Sequence, residues 1–223
     1  MTKTVPYLSM KRVKCIIILL LVSMATGVSY SIWCSYLKDQ DRLANSEMFP
    51  AVYQFEAGNY DNALHGEEAY AGFLDITQKY KHSKTRNLAH FYAGICYLQQ
   101  ANYEQAICYF EQFKTGDSIL KARAASLIGD AYLEQGDHKQ ALKYYRQATE
   151  GNHNAEYAPI YWTKAARVYE LQEDYEEALK CYKMITQYHY QSSYYPDLKK
   201  HINRVQEKIQ HVEQGKTTDK KIH

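Results

Sequence analysis

At 223 residues the chain is long enough for one substantial domain and an anchor, but not for two independent enzymes. Lys and Arg number 27 against 25 Asp and Glu, so the field of the whole protein gives no reason to expect nucleic acid as a main partner. Tyr occurs 23 times while Gly and Pro number 10 and 4, a composition with few breakers and many large amphipathic side chains, as the seams of stacked helix pairs require.

Residues 1–14 carry Lys3, Lys11, Arg12 and Lys14 and are followed by the uncharged run CIIILLLVSMATGVSYSIW from Cys15 to Trp33. As a helix rising about 1.5 Å per residue, the stretch 15–35 matches a hydrocarbon core of about 30 Å, so a single transmembrane signal-anchor is expected there. Lys38, Asp39, Asp41 and Arg42 beyond it are mixed in sign, so the positive-inside rule places the N-terminus in the cytoplasm and the rest across the membrane. A cleaved signal peptide is the alternative, because Ala25-Thr26-Gly27 and Ser29-Tyr30-Ser31 offer small-x-small sites. Trp33 and Tyr36 suit an interfacial belt, and Trp33 before Cys34 excludes a lipobox.

Residues 36–47 read as a juxtamembrane linker and 48–86 as an irregular first helix pair, with a turn aromatic at Tyr60 and the pair Ala63-Leu64. Three gapless stretches follow within 87–190: FYAGICYLQQANYEQAICYFEQF from Phe91, SLIGDAYLEQGDHKQALKYYRQA from Ser126 and TKAARVYELQEDYEEALKCYKMI from Thr163. Ala106, Ala141 and Ala178 mark one position at steps of 35 and 37 residues, whereas the step from Ala63 to Ala106 is 43. The extra residues of the first unit are expected in HGEEAYAGF from His65. Beyond the repeats, Leu198, Ile202, Val205 and Ile209 recur at helical steps after Pro196-Asp197, which predicts a cap helix over 196–213. Residues 214–223 are polar and basic and read as a disordered tail.

The three stretches resemble the tetratricopeptide repeat family. Small residues on the first helix stand at Gly94, Gly129 and Ala166, each followed three residues later by an aromatic, at Tyr97, Tyr132 and Tyr169. The second helices supply Ala106, Ala141 and Ala178, then Phe110, Tyr145 and Tyr182. Gly136 alone keeps the family's turn glycine, with Ala101 and Glu173 in its place elsewhere. Gly or Ala lets antiparallel helices approach while the aromatics fill the wedge between them. The resemblance implies an all-α solenoid of antiparallel helix pairs with a C-terminal cap helix, preceded by the single transmembrane helix.

It also implies a concave groove lined by first-helix side chains: Leu88, Phe91, Ile95 and Leu98, then Arg123, Ser126, Asp130 and Leu133, then Ile160, Thr163, Arg167 and Glu170. Such a groove runs from apolar to polar. Phe91 and Ile95 stand where carboxylate-clamp repeats carry Lys and Asn, so an apolar helix or extended segment is the expected ligand, with Arg123 and Arg167 fixing its polar ends. Packing of Phe91 and Ile95 on the first unit is the alternative reading, and mutual ion pairing is the simplest account of Arg123, Asp130, Arg167 and Glu170.

Catalytic motifs are absent from the sequence, and Cys15, Cys34, Cys96, Cys108 and Cys181 lack zinc-binding spacings, so neither enzyme activity, cofactor nor metal is expected. Glu173-Asp174 and Glu176-Glu177 read as capping carboxylates at a helix start. The architecture is similar to YfgM-like ancillary proteins of bacterial inner membranes. That similarity implies a periplasmic repeat domain serving envelope protein biogenesis, with translocon subunits or a membrane-anchored chaperone as partners. A signal-cleaved periplasmic or outer-membrane-associated adaptor is the second reading, and an enzyme with a site in the groove the third.

Overall fold

The computed structural model describes residues 10–150, 156–188 and 195–219. Residues 1–9 of the expected cytoplasmic segment and 220–223 of the expected tail lie outside the described residues.

α1 (Met10–Glu56) is one helix of 47 residues, about 70 Å long at the usual rise. It takes in the apolar stretch, the expected linker and the start of the first helix pair. The linker reading of 36–47 is thus corrected: the segment is helical and docked. No Gly or Pro interrupts the sequence from Val28 to Phe49, and two of its carboxylates, Asp41 and Glu47, have partners in the repeat array. Asp41 Oδ1 accepts from Ser83 Oγ at 2.6 Å and from Lys84 N at 2.5 Å. Glu47 pairs with Lys79 at 2.7 Å, and Ala44, Met48 and Ala51 are buried beneath.

After α2 (Tyr60–His65), the antiparallel two-residue strands β1 (Gly66–Glu67) and β2 (Tyr70–Ala71) form a small hairpin, paired Gly66 to Ala71 and Glu67 to Tyr70. It occupies the stretch where the extra residues were expected. α3 (Phe73–Lys79) then resumes the second helix and brings the fully buried Phe73 against Phe55 and Tyr92, at centroid distances of 6.4 and 5.1 Å.

Three regular pairs follow: α4 (Lys84–Gln99) with α5 (Tyr103–Gln112), α6 (Ser118–Glu134) with α7 (His138–Thr149), and α8 (Ala158–Leu171) with α9 (Tyr175–Tyr188). The helix starts are capped from the sequence. Ser83 Oγ accepts from Thr85 N at 3.0 Å, Asp117 from Ile119 N and Leu120 N at 2.8 and 3.0 Å, and Asp137 from Gln140 N at 3.0 Å. Asp174 likewise accepts from Glu177 N at 3.2 Å, which gives one of the acidic turn residues a capping role.

The first helix of every pair ends in the same turn. Gly58, Ala101, Gly136 and Glu173 all have positive φ, at 80°, 58°, 78° and 60°. At each, the next residue's N–H reaches back five positions: Asn59 to Gln54, Asn102 to Tyr97, Asp137 to Tyr132 and Asp174 to Tyr169. This is a Schellman turn repeated four times, and it identifies the irregular unit as a fourth member of the series. A side chain in this conformation costs about 1–2 kcal/mol, part of which glycine returns through its freer unfolded state. Ala101→Gly and Glu173→Gly are therefore each expected to stabilise the protein by about 0.5–1 kcal/mol. The check is an upward shift of the thermal midpoint followed by circular dichroism.

The wedge between the helices of a pair is as tight as the sequence requires. A Cβ built on Gly94 would stand 2.8 Å from the Phe110 ring, and one on Gly129 2.7 Å from the Tyr145 ring. Ala106, Ala141, Ala178 and, in the first unit, Ala63 have no solvent exposure. α10 (Tyr195–Asp219) closes the array by laying Leu198 and Val205 on α9 beside Tyr182 and Ile185. It begins one residue before the expected cap helix and continues through 214–219, which corrects the reading of those six residues as disordered. No glycine-type stop acts at Gly215, and the helix runs on to Asp219.

Candidate protein-binding groove

The first helices α4, α6 and α8 bring the sequence-derived groove residues together in part. Leu88, Ile95 and Leu98 are half-buried on α4, and Arg123 and Arg167 are exposed on α6 and α8. Phe91 is not available as an anchor. It is 5% exposed, with its ring 5.8 Å from Phe110 and 5.0 Å from Phe113, and the Arg123 guanidinium lies 6.0 Å from its centroid. It therefore packs mainly on the second helix of its own pair. Ser126 is buried as well, while Leu133, Ile160 and Thr163 are half-buried, and the Thr163 hydroxyl donates to Pro159 O at 2.8 Å.

The acids of the groove have different partners from those the sequence suggested. Asp130 receives Lys164 Nζ at 2.8 and 2.6 Å, and the same ammonium donates to Ser126 Oγ at 3.1 Å. Asp130 Oδ1 also accepts the Tyr145 hydroxyl at 2.7 Å. Glu170 repeats the scheme one unit later: Tyr182 OH donates to Oε1 at 2.6 Å, and Arg204 Nη2 of α10 lies 3.0 and 2.9 Å from its two oxygens. Each acid thus ties its own pair's wedge tyrosine to a cation on the next inner helix, and α10 plays that helix for the last pair. Arg123 and Arg167 are left free of these bridges.

Burial, then the charge of Asp130 and the bond to it, push the Tyr145 hydroxyl far above the ordinary phenol range; burial and the bond to Glu170 do the same for Tyr182. Both remain protonated donors. Lys164 and Arg204 were missed in the sequence, where only the tyrosine–acid half of each bridge left a signal. Phe110 faces the apolar first-helix side chains Ile95 and Leu98, whereas Tyr145 and Tyr182 occur where Asp130 and Glu170 enter the repeat. A buried phenol needs an acceptor.

Clefts open between the helices as well. One of about 620 Å³ lies among α5, α6 and α7, lined by Glu111, Lys114, Lys121 and Tyr144, and mixes both signs of charge. Another, bordered by Lys81, Arg86, Tyr109 and Gln112, includes His90, whose Nδ1 is buried without a hydrogen-bond partner among the described residues. Burial, aided by Arg86, holds that imidazole down at about 4, so it is neutral at physiological pH. Cys96 and Cys181 are buried with their thiols pushed up to about 12 by burial, Cys34 is half-buried and Cys108 exposed. Among the described residues no three His, Cys, Asp or Glu converge to hold a metal ion.

Residues 126–190 match the tetratricopeptide repeat family. The fold is a tetratricopeptide-like solenoid. The crystal structure of nearly identical TPR-like repeats from a putative kinesin light chain of Podosopora anserina superposes with a TM-score of 0.59. The alignment covers 82% of this chain and 93% of that one at 12% identity, so the likeness is one of fold. No curated protein sequence matches the chain. Tetratricopeptide repeats imply a protein-interaction scaffold.

Proposed function

We propose that the protein is a single-pass, membrane-anchored scaffold whose repeats hold other proteins during envelope protein biogenesis. The observation that carries the membrane part is α1. Its side chains from Ile16 to Val22 are 46–68% exposed, and the same unbroken helix continues into the repeat core at Ala44. It is also long and apolar enough to cross a bilayer. A solvated surface of this kind is unfavourable in water at about 25 cal/mol per Å² of apolar area, and a bilayer removes that cost.

In this reading the short N-terminus is cytoplasmic and the repeats are periplasmic on a bacterial inner membrane. The partners are translocon subunits or a membrane-anchored chaperone, as for YfgM-like proteins. An apolar segment of a partner lies on Leu88, Ile95 and Leu98, with its polar ends near Arg123 and Arg167. Crosslinking in intact membranes followed by mass spectrometry is expected to recover translocon or chaperone subunits, with the crosslinks lost in an Ile95→Asp, Leu98→Asp variant that still folds. Recovery of cytoplasmic proteins alone would contradict the assignment.

A further inference from the structure

The proposed span and the repeat array share α1, and one loop of the array lies back along it. Residues 80–83, between α3 and α4, place the His82 ring 5.9 Å from Trp33, while Ser83 and Lys84 N hold Asp41. Trp33 and Asp41 are about 12 Å apart along the helix axis. If Trp33 marks the interface, as an aromatic belt residue does, the loop tip stands at the level of the lipid headgroups, a layer about 5–7 Å thick on each side of the hydrocarbon core.

The loop and the helix ends beside it are rich in cations. Lys79, Lys81, Lys84 and Arg86 fall within eight residues of sequence together with His82. The carboxylates nearest to them are already engaged, since Glu47 pairs with Lys79 and Asp41 accepts the bonds at the start of α4. Lys81, His82 and Lys84 are exposed, and among the described residues neither lysine forms an ion pair. Lys38 and Arg42 are exposed on the adjoining turns of α1, with Asp39 as an exposed opposing carboxylate. A cationic surface beside an apolar helix and an interfacial tryptophan is complementary to phosphate at a bilayer surface.

We propose that Lys81, His82 and Lys84, together with Lys38 and Arg42, form a collar that binds the phosphates of anionic phospholipid headgroups where α1 leaves the bilayer. The collar rests on the reading of α1 as a membrane span. It has a mechanical consequence: with α1 docked to the loop through Trp33 and Asp41, lipid contact at the collar fixes the tilt of the whole array, and thereby the height of the groove above the membrane.

The test uses the full chain in nanodiscs of phosphatidylcholine alone or of phosphatidylcholine mixed with phosphatidylglycerol, read by amide hydrogen exchange. Exchange across 80–86 is expected to be about fivefold slower in the anionic discs, as one or two lysine–headgroup contacts would give. High salt and the K81Q/K84Q double variant should both abolish the difference, without change in thermal midpoint, because both side chains are exposed. Equal exchange of 80–86 in the two disc types, with 16–33 protected in both, overturns the collar and leaves the span standing. Rapid exchange across 16–33 in both overturns the span and the collar together. Slowing of 80–86 that occurs only when an acidic polypeptide is added assigns the surface to a protein and overturns the lipid proposal.

Discussion

Replacing Tyr145 with alanine is expected to destabilise the array by about 3–5 kcal/mol, the range for removing a fully buried aromatic. The ring has no solvent exposure and fills the gap that Gly129 leaves open. Its hydroxyl holds Asp130, which in turn holds Lys164 of the next pair, so the cavity and the lost bond act on the same seam. Tyr145→Phe separates the two effects and should cost about 0.5–1.5 kcal/mol, because Asp130 keeps its ion pair and is partly exposed. The reverse change in the first regular pair is the sharper experiment. Phe110→Tyr places a phenol opposite Ile95 and should cost about 1–3 kcal/mol for a buried hydroxyl without an acceptor. Adding Ile95→Asp should recover most of it. Urea unfolding of the single and double variants gives the coupling energy, and additivity within about 0.5 kcal/mol would show that wedge and groove are independent.

That coupling also explains how much of the molecule was legible in the sequence. The repeats were readable because their register is set by local sterics: Gly94 and Gly129 stand where a Cβ cannot, and Ala106, Ala141 and Ala178 where nothing larger fits. The cation half of each bridge was not readable, because Lys164 and Arg204 meet their acids 34 residues away in sequence, and a pattern of single positions does not say which cation crosses the seam. Phe91 was misplaced for a related reason. The family's groove positions assume an average repeat, whereas here Phe113, just past the end of α5, adds a second ring that draws Phe91 inward. The linker was misread because a mixed-charge stretch looks solvated until the partners of Asp41 and Glu47, about forty and thirty residues onward, are brought beside it.

The last pair depends on α10 in a way that a point substitution should expose. A solenoid gains its stability from interfaces between neighbours, so an end unit without a cap leaves an apolar face in water. Val205 is fully buried and Leu198 nearly so, against the surface that carries Tyr182 and Ile185. Val205→Asp puts a carboxylate there without a cation positioned to meet it, since the Arg204 guanidinium is committed to Glu170. The expected cost is about 3–5 kcal/mol, from lost burial and an uncompensated charge. Because coupling along the array runs between nearest neighbours, the damage should be local: hydrogen exchange should accelerate in α9 and α10 and remain unchanged in α4 and α5. Arg204→Ala tests the polar half of the same contact. It leaves Tyr182 as the donor to Glu170 on a partly exposed bridge, and should cost only about 1 kcal/mol. Uniform acceleration from α4 to α10 in Val205→Asp would mean that the repeats unfold as one block and that α10 stabilises all of them, not the last pair alone.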